Sequence, residues 1–259
     1  MRHAGASHLD LTAESVARPA KSRFCAPINR NIMLKPEDFF ELSEFAHRGL
    51  FDDLEFVWDA LKCLSDYINS ALKPGIYGTV MPGAYLADDR IYLGKGTVVE
   101  PGAYIAGPTI IGDNCAVRQG AYVRGNVLTG DHCVIGHTSE LKAAILLNHA
   151  AAPHFNYVGD SILGQKVNLG AGTKLSNLKM IKGNVTVKIG DQTHDSGLRK
   201  FGAILGDYAQ SGCNSVLNPG TLIGRGSLVY PNATVSGYVP PNSIVKLRQT
   251  LEIMEQTKK

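Results

Sequence analysis

Residues 93–135 read LGKGTVVEPGAYIAGPTIIGDNCAVRQGAYVRGNVLTGDHCVI, and a residue suited to a buried strand returns at every sixth place: Leu93, Val99, Ile105, Ile111, Val117, Val123, Thr129 and Ile135. A helix buries one face with a period of about 3.6 and a half-buried strand with a period of 2, so neither accounts for the spacing. A glycine often follows the aliphatic residue, as in Leu93-Gly94, Ile111-Gly112 and Ile135-Gly136. This is the signature of a hexapeptide β-helix. Three hexapeptides close one 18-residue coil, visible in the recurrence Leu93-Gly94-Lys95, Ile111-Gly112-Asp113, Thr129-Gly130-Asp131. The aliphatic residues point into a prism, and each short strand pairs with the next coil about 4.8 Å away.

The period runs on through Leu141 and Leu147 and resumes at Leu205, Ser211, Leu217, Ile223, Val229 and Val235. The spacing predicts a β-helix over 76–240 with a slip between Leu147 and Leu163 and an inserted loop at 178–200. Upstream, Pro36 with Glu37 and Asp38, then Phe39, Phe40, Leu42 and Phe45, predict a short amphipathic helix. Leu54, Val57, Leu61, Leu64 and Ile68 predict a second, with Asp52 and Asp53 at its start and Lys73-Pro74-Gly75 at its end. The expected organisation is a flexible leader over 1–34, a helical segment over 35–75, the β-helix, and a tail or short helix over 241–259.

Composition bounds the function. Lys+Arg 26 against Asp+Glu 23 gives a net charge of +3, too small to point to nucleic acid as partner. The 28 glycines among 259 residues, about 11% against a usual ~7%, fit a chain with many tight turns. Five cysteines, Cys25, Cys63, Cys115, Cys133 and Cys213, include no C-x-x-C pair. That argues against a disulfide framework or a cysteine zinc site and fits a reducing cytoplasm. The longest apolar run, Ala143 to Pro153, is broken by Asn148 and His149, so no stretch of about 18 apolar residues is present to span a bilayer.

Residues 18 apart occupy the same point of successive coils. Arg124 and Lys142 are such a pair, and two stacked cations on a rigid wall are best explained by an anion bound beside them. Cys115 and Cys133 share the spacing and read as small buried core residues. His154 falls in an irregular stretch, His154-Phe155-Asn156-Tyr157-Val158-Gly159-Asp160. This run, then Val167-Asn168-Leu169-Gly170-Ala171-Gly172-Thr173 and Asn177, resembles the acetyltransferase domain of the bifunctional N-acetylglucosamine-1-phosphate uridyltransferase family. The longer excursion at 178–200 is more similar to the archaeal sugar-1-phosphate nucleotidylyltransferases that carry an acetyltransferase tail.

The resemblance implies an all-β solenoid of the left-handed parallel β-helix class, a homotrimer, and a cytoplasmic acetyltransferase that takes acetyl-CoA and an amino-sugar 1-phosphate. It implies His154 as general base, Arg124 and Lys142 as sugar-phosphate ligands, and Tyr157, Asn168 and Asn177 as further substrate contacts. Ala171 would present its backbone N–H to the thioester, and Lys200 lands where the family has a substrate-binding lysine. Glu140 stands two residues before Lys142, placed to orient either the imidazole or the amine. Small residues in Gly170-Ala171-Gly172 allow a backbone N–H to approach an oxyanion. Residues 1–75 are too short for the nucleotidylyltransferase domain, so nucleotidyl transfer is not expected. Two other readings stand beside this one: a non-catalytic sugar-phosphate-binding or scaffold module, and a γ-type carbonic anhydrase suggested by the H-x4-H spacing of His149 and His154. No resident metal is expected for the acetyltransferase.

Overall fold

The computed structural model describes residues 34–256. The leader expected over 1–34 lies outside these residues apart from Leu34, which is buried and whose carbonyl accepts the Val57 N–H. Residues 257–259 of the expected tail also lie outside them.

The described chain winds into a left-handed parallel β-helix with three faces. The second face is a nine-stranded sheet running from Thr79–Val80 to Ile244–Val245. The first and third faces merge into one fifteen-stranded sheet, because Glu140–Leu146 and Tyr157–Leu163 run unbroken through the corner between them. Inner residues stack in register, as Val99, Val117 and Ile135 do. Cys115 and Cys133 are both buried in this core.

The coil shortens earlier than the sequence spacing predicts. Leu141 lies opposite Val123, 18 residues back, but Leu146 lies opposite Thr129, only 17 back. The inner position expected for Leu147 therefore belongs to Leu146. Ala143 turns the corner with φ 45°, and the strand continues without the extra residue a full coil would use. Coils of 17 carry the core on through Ala152, Val158 and Leu163. The solenoid starts at Gly75 and ends with Ile244–Val245, and residues 246–256 have no regular structure.

The excursion is a packed hairpin. Leu178 bridges Lys200 at its neck, and Thr186–Ile189 pairs antiparallel with Gln192–Asp195. Val185 and Val187 are buried, and the His194 ring lies 5.7 Å from that of Phe56. The solenoid then resumes with Leu205 opposite Leu163.

The first expected helix is a single turn, Pro36–Phe39. Tertiary hydrogen bonds replace its next turn: Glu41 N donates to Asp207 Oδ2 at 2.7 Å, and Asp207 N donates to Phe39 O. A 3₁₀ turn follows at Arg48–Phe51. The second helix is Asp59–Ala71, beginning after Leu54 and Val57 because the Val57 N–H is taken by Leu34. This segment explains why the first face is apolar on both sides. Its outward residues Ile110, Leu128, Ile145, Ile162, Ile204 and Leu222 are register partners in turn and all buried. Helix Asp59–Ala71 packs on Glu140–Leu146 and Tyr157–Leu163, and each covered side chain contributes roughly 1.5–3 kcal/mol relative to exposure. Among the described residues no helix is long and apolar enough to cross a membrane.

Candidate active site

The strand Ala151–His154 runs up the second face to a corner, with His154 opposite His137 of Val134–His137. Past the corner sits Asn156, a buried amide that bonds in three directions. Its Oδ1 accepts the His154 N–H at 3.0 Å, its Nδ2 donates to Gly170 O at 2.8 Å, and its own N–H donates to Ser139 Oγ. The His154 carbonyl in turn accepts the Gly172 N–H at 3.0 Å. His154 is thus fastened by its backbone to the turn Gly170-Ala171-Gly172, while its imidazole is exposed. Gly170 packs against the backbone of Ser211 and Gly212 too tightly for any side chain, and Gly172 has φ +73°. Among the described residues no acceptor meets the Ala171 N–H.

Beyond this corner the third face opens into a cleft of about 530 Å³ lined by Thr138, Glu140, Tyr157, Lys174, Asn177 and Leu178, among others. Arg124 Nη1 donates to Glu140 Oε1 at 2.7 Å and its guanidinium lies 5.9 Å from the Tyr122 ring centroid. The hydrogen bond to Glu140 pushes the Arg124 pKa up. Burial, reinforced by the Glu140 charge, raises the Tyr157 phenol, against an opposing hydrogen bond with Asn177. Asn177 Nδ2 donates to Asp160 Oδ2, which also lies 3.6 Å from Lys142 Nζ. At Gly159 a Cβ would meet the Tyr157 hydroxyl and the Asn177 amide, so both side chains lie close over this glycine. Arg124, Glu140, Tyr157, Asn177, Asp160 and Lys142 form one polar cluster.

Arg124 and Lys142 follow one another on adjacent coils as their spacing predicts, but each is neutralised by a carboxylate of this chain. Their stacking alone therefore requires no external anion. Glu140 is engaged by Arg124 through its Oε1. Asn168 lies outside the cluster, exposed on the second face between Ala151 and Gln210. Lys200 is exposed at the hairpin neck, its backbone bridged to Leu178. Sequence reading missed Asp160, Asn156 and Lys174, whose Nζ donates to Gly172 O at 2.7 Å. The first two stand inside the quoted motif, and only the corner geometry reveals their bonds.

His154 ends the strand Ala151–His154, whereas His149 lies in the turn before it. His149 stacks on His132, centroids 4.7 Å apart, at a different corner. Among the described residues no group of three or more His, Cys, Asp or Glu could hold a metal ion.

A family model described as the GMPPB C-terminal domain matches residues 105–194. The bifunctional sugar-1-phosphate nucleotidylyltransferase/acetyltransferase of Sulfurisphaera tokodaii is 37% identical over 101 residues, 39% of this chain and 25% of that protein. The bifunctional protein GlmU of Methanococcus aeolicus is 30% identical over 211 residues, 82% of this chain and 50% of that protein. The chain matches the acetyltransferase domain of these bifunctional proteins. It spans half or less of the length of either relative. Of solved structures, the UDP-N-acetylglucosamine acyltransferase of Francisella novicida aligns with a TM-score of 0.34 at 15% identity, over 66% of this chain and 65% of that one. The residues of the cluster described above, Arg124, Glu140, Lys142, Tyr157, Asp160 and Asn177, all fall inside the stretch 105–194 that the family model matches.

Proposed function

We propose that this chain is an acetyl-CoA-dependent N-acetyltransferase acting on an amino-sugar 1-phosphate, glucosamine 1-phosphate or similar, in the making of nucleotide-sugar and cell-envelope precursors. One observation carries the reading. The cleft cluster and the turn that ties His154 to the free Ala171 N–H lie on either side of a single corner.

In this reading Arg124 and Lys142 hold the phosphate, Tyr157 and Asn177 contact the sugar, and His154 accepts a proton from the amine. General-base help of this kind is worth about 10²- to 10⁴-fold. The amine nitrogen attacks the thioester carbonyl, and the oxyanion that forms is met by the Ala171 N–H. The oxyanion then collapses, the carbon–sulfur bond breaks, and the leaving thiolate takes the proton back from the His154 imidazolium to leave as the thiol of coenzyme A. Coenzyme A runs along the outer wall of the later coils, past Asn168, and Lys200 reaches the acceptor from the hairpin neck. A wall of this kind is convex, so a neighbouring copy in a threefold homotrimer closes the cleft. The setting is the cytoplasm.

The neutralised cations favour a second reading, a sugar-phosphate-binding or scaffold module without turnover. Incubation with acetyl-CoA and glucosamine 1-phosphate or galactosamine 1-phosphate separates the two. An enzyme yields N-acetylated sugar phosphate identified by mass spectrometry, whereas a module yields none.

A further inference from the structure

The loop at 179–183, between the hairpin neck and the strand Thr186–Ile189, takes no part in the proposed acetyl transfer. It reads Lys179-Met180-Ile181-Lys182-Gly183. Met180 is fully exposed and Ile181 79% exposed, more than any other large apolar residue described outside the irregular tail 246–256. Val185, Val187 and Ile189 of the same excursion are buried, so the hairpin has a small core and these two side chains are left out of it. Charge is divided unevenly as well. The excursion holds Lys179, Lys182, Lys188, Arg199 and Lys200 against Asp191 and Asp195 alone, whereas the rest of the described chain has more Asp and Glu than Lys and Arg. A basic projection on an acidic body turns toward an anionic surface as it approaches one.

We infer that this loop docks the protein on a lipid surface of anionic headgroups, with Met180 and Ile181 entering the boundary between headgroups and acyl chains and Lys179 and Lys182 staying among the phosphates. The apolar pair supplies partition into the boundary. The lysine on either side keeps its ammonium at headgroup level while its methylenes follow the pair inward. Depth is limited by the backbone. Among the described residues no N–H from Met180 to Gly183 donates to another group of the chain, so these groups keep water or headgroup oxygens as partners and the loop stays out of the hydrocarbon. The same irregular backbone offers a protein partner no strand edge or helix face to pair with, whereas a lipid surface asks only for apolar side chains flanked by cations. Binding of this kind is weak, reversible and sensitive to salt, and it needs no spanning segment.

Sedimentation of the full chain with phosphatidylcholine vesicles, with and without about one-third phosphatidylglycerol, tests the inference. Wild type should pellet with the anionic vesicles, stay in solution with the neutral ones, and be released as salt rises. Met180→Ser/Ile181→Ser should lower partition to the anionic vesicles about tenfold or more, and Lys179→Gln/Lys182→Gln should lower it about fivefold per lysine. Met180→Leu/Ile181→Phe, which keeps the apolar pair, should bind like wild type. Met180 and Ile181 lie outside the core, so the serine variant should keep the wild-type melting temperature. Wild type that stays in solution with anionic vesicles overturns the inference. So does a serine variant that pellets like wild type, since a basic patch would then bind without inserting. A lowered mass of the serine variant by light scattering without lipid would assign the loop to a contact between copies, and this too overturns it. None of these measurements needs turnover, so failure of the proposed acetyl transfer appears separately.

Discussion

Arg124 and Glu140 meet across adjacent coils at 2.7 Å, and both side chains remain about one-third exposed or more. A pair so placed is screened by solvent and adds little to folding. Its importance lies in fixing the guanidinium against Glu140, which lines the cleft. Arg124→Ala and Glu140→Gln are therefore expected to keep the wild-type melting temperature while raising KM for the sugar phosphate. KM for acetyl-CoA should stay where it is. The check is steady-state kinetics on a phosphorylated and an unphosphorylated amino sugar, since only the former should respond to Arg124→Ala.

Trp58 links the N-terminal segment to the site. It is fully buried, its ring lies 6.2 Å from that of Phe201, and the Phe201 N–H donates to the Asn177 carbonyl at 2.9 Å. Trp58→Ala should cost about 3–5 kcal/mol, measured by urea unfolding. It should also speed hydrogen exchange at the Phe201 amide, which would remain protected if the segment were only loosely laid on the prism.

Acid should loosen the same segment. Burial lowers the pKa of His47, whose Nδ1 lies 3.2 Å from the Tyr67 hydroxyl. His149 is lowered first by burial and then by His132 and Lys166. Because the folded state favours the neutral rings, their contribution is complete above the unfolded value near 6.5. It is lost as pH falls from there toward the depressed folded values. The urea midpoint should thus drop between pH 8 and 5.5, above the carboxylate range. In His47→Gln/His149→Asn the drop should be smaller, and an equal drop in both proteins would assign it to other groups.

The prism was legible in the sequence because its inner residues obey a strict period, and each buried aliphatic at that period reports the same environment. The outward ladder of the first face was not, since Leu128 or Ile145 reads as apolar whichever side it faces. Only the covering segment explains that burial. Within the site, the stacking of Arg124 on Lys142 followed from coil arithmetic. The carboxylates that neutralise them did not, because Glu140 reaches Arg124 from 16 residues on and Asp160 reaches Lys142 from the place after its register partner Gly159, and which side chains meet across a coil is set by the local corner geometry. The shortened coil puts His137 opposite His154, a pairing invisible to a constant repeat. The first helix was overpredicted because Asp207, far away in sequence, takes the hydrogen bonds that would have extended it.

The most direct test is acetyl transfer by wild type and His154→Ala side by side, following free thiol and N-acetylated sugar phosphate together. The exposed His154 ring contributes little to the prism core, so the variant should keep the wild-type melting temperature. Wild type should release one thiol for each acetylated sugar, and the variant should be slower by about 10²- to 10⁴-fold. Equal rates in the two proteins, or no acetylated sugar from the wild type with any amino-sugar 1-phosphate, would contradict the assignment of this corner as an acetyl-transfer site.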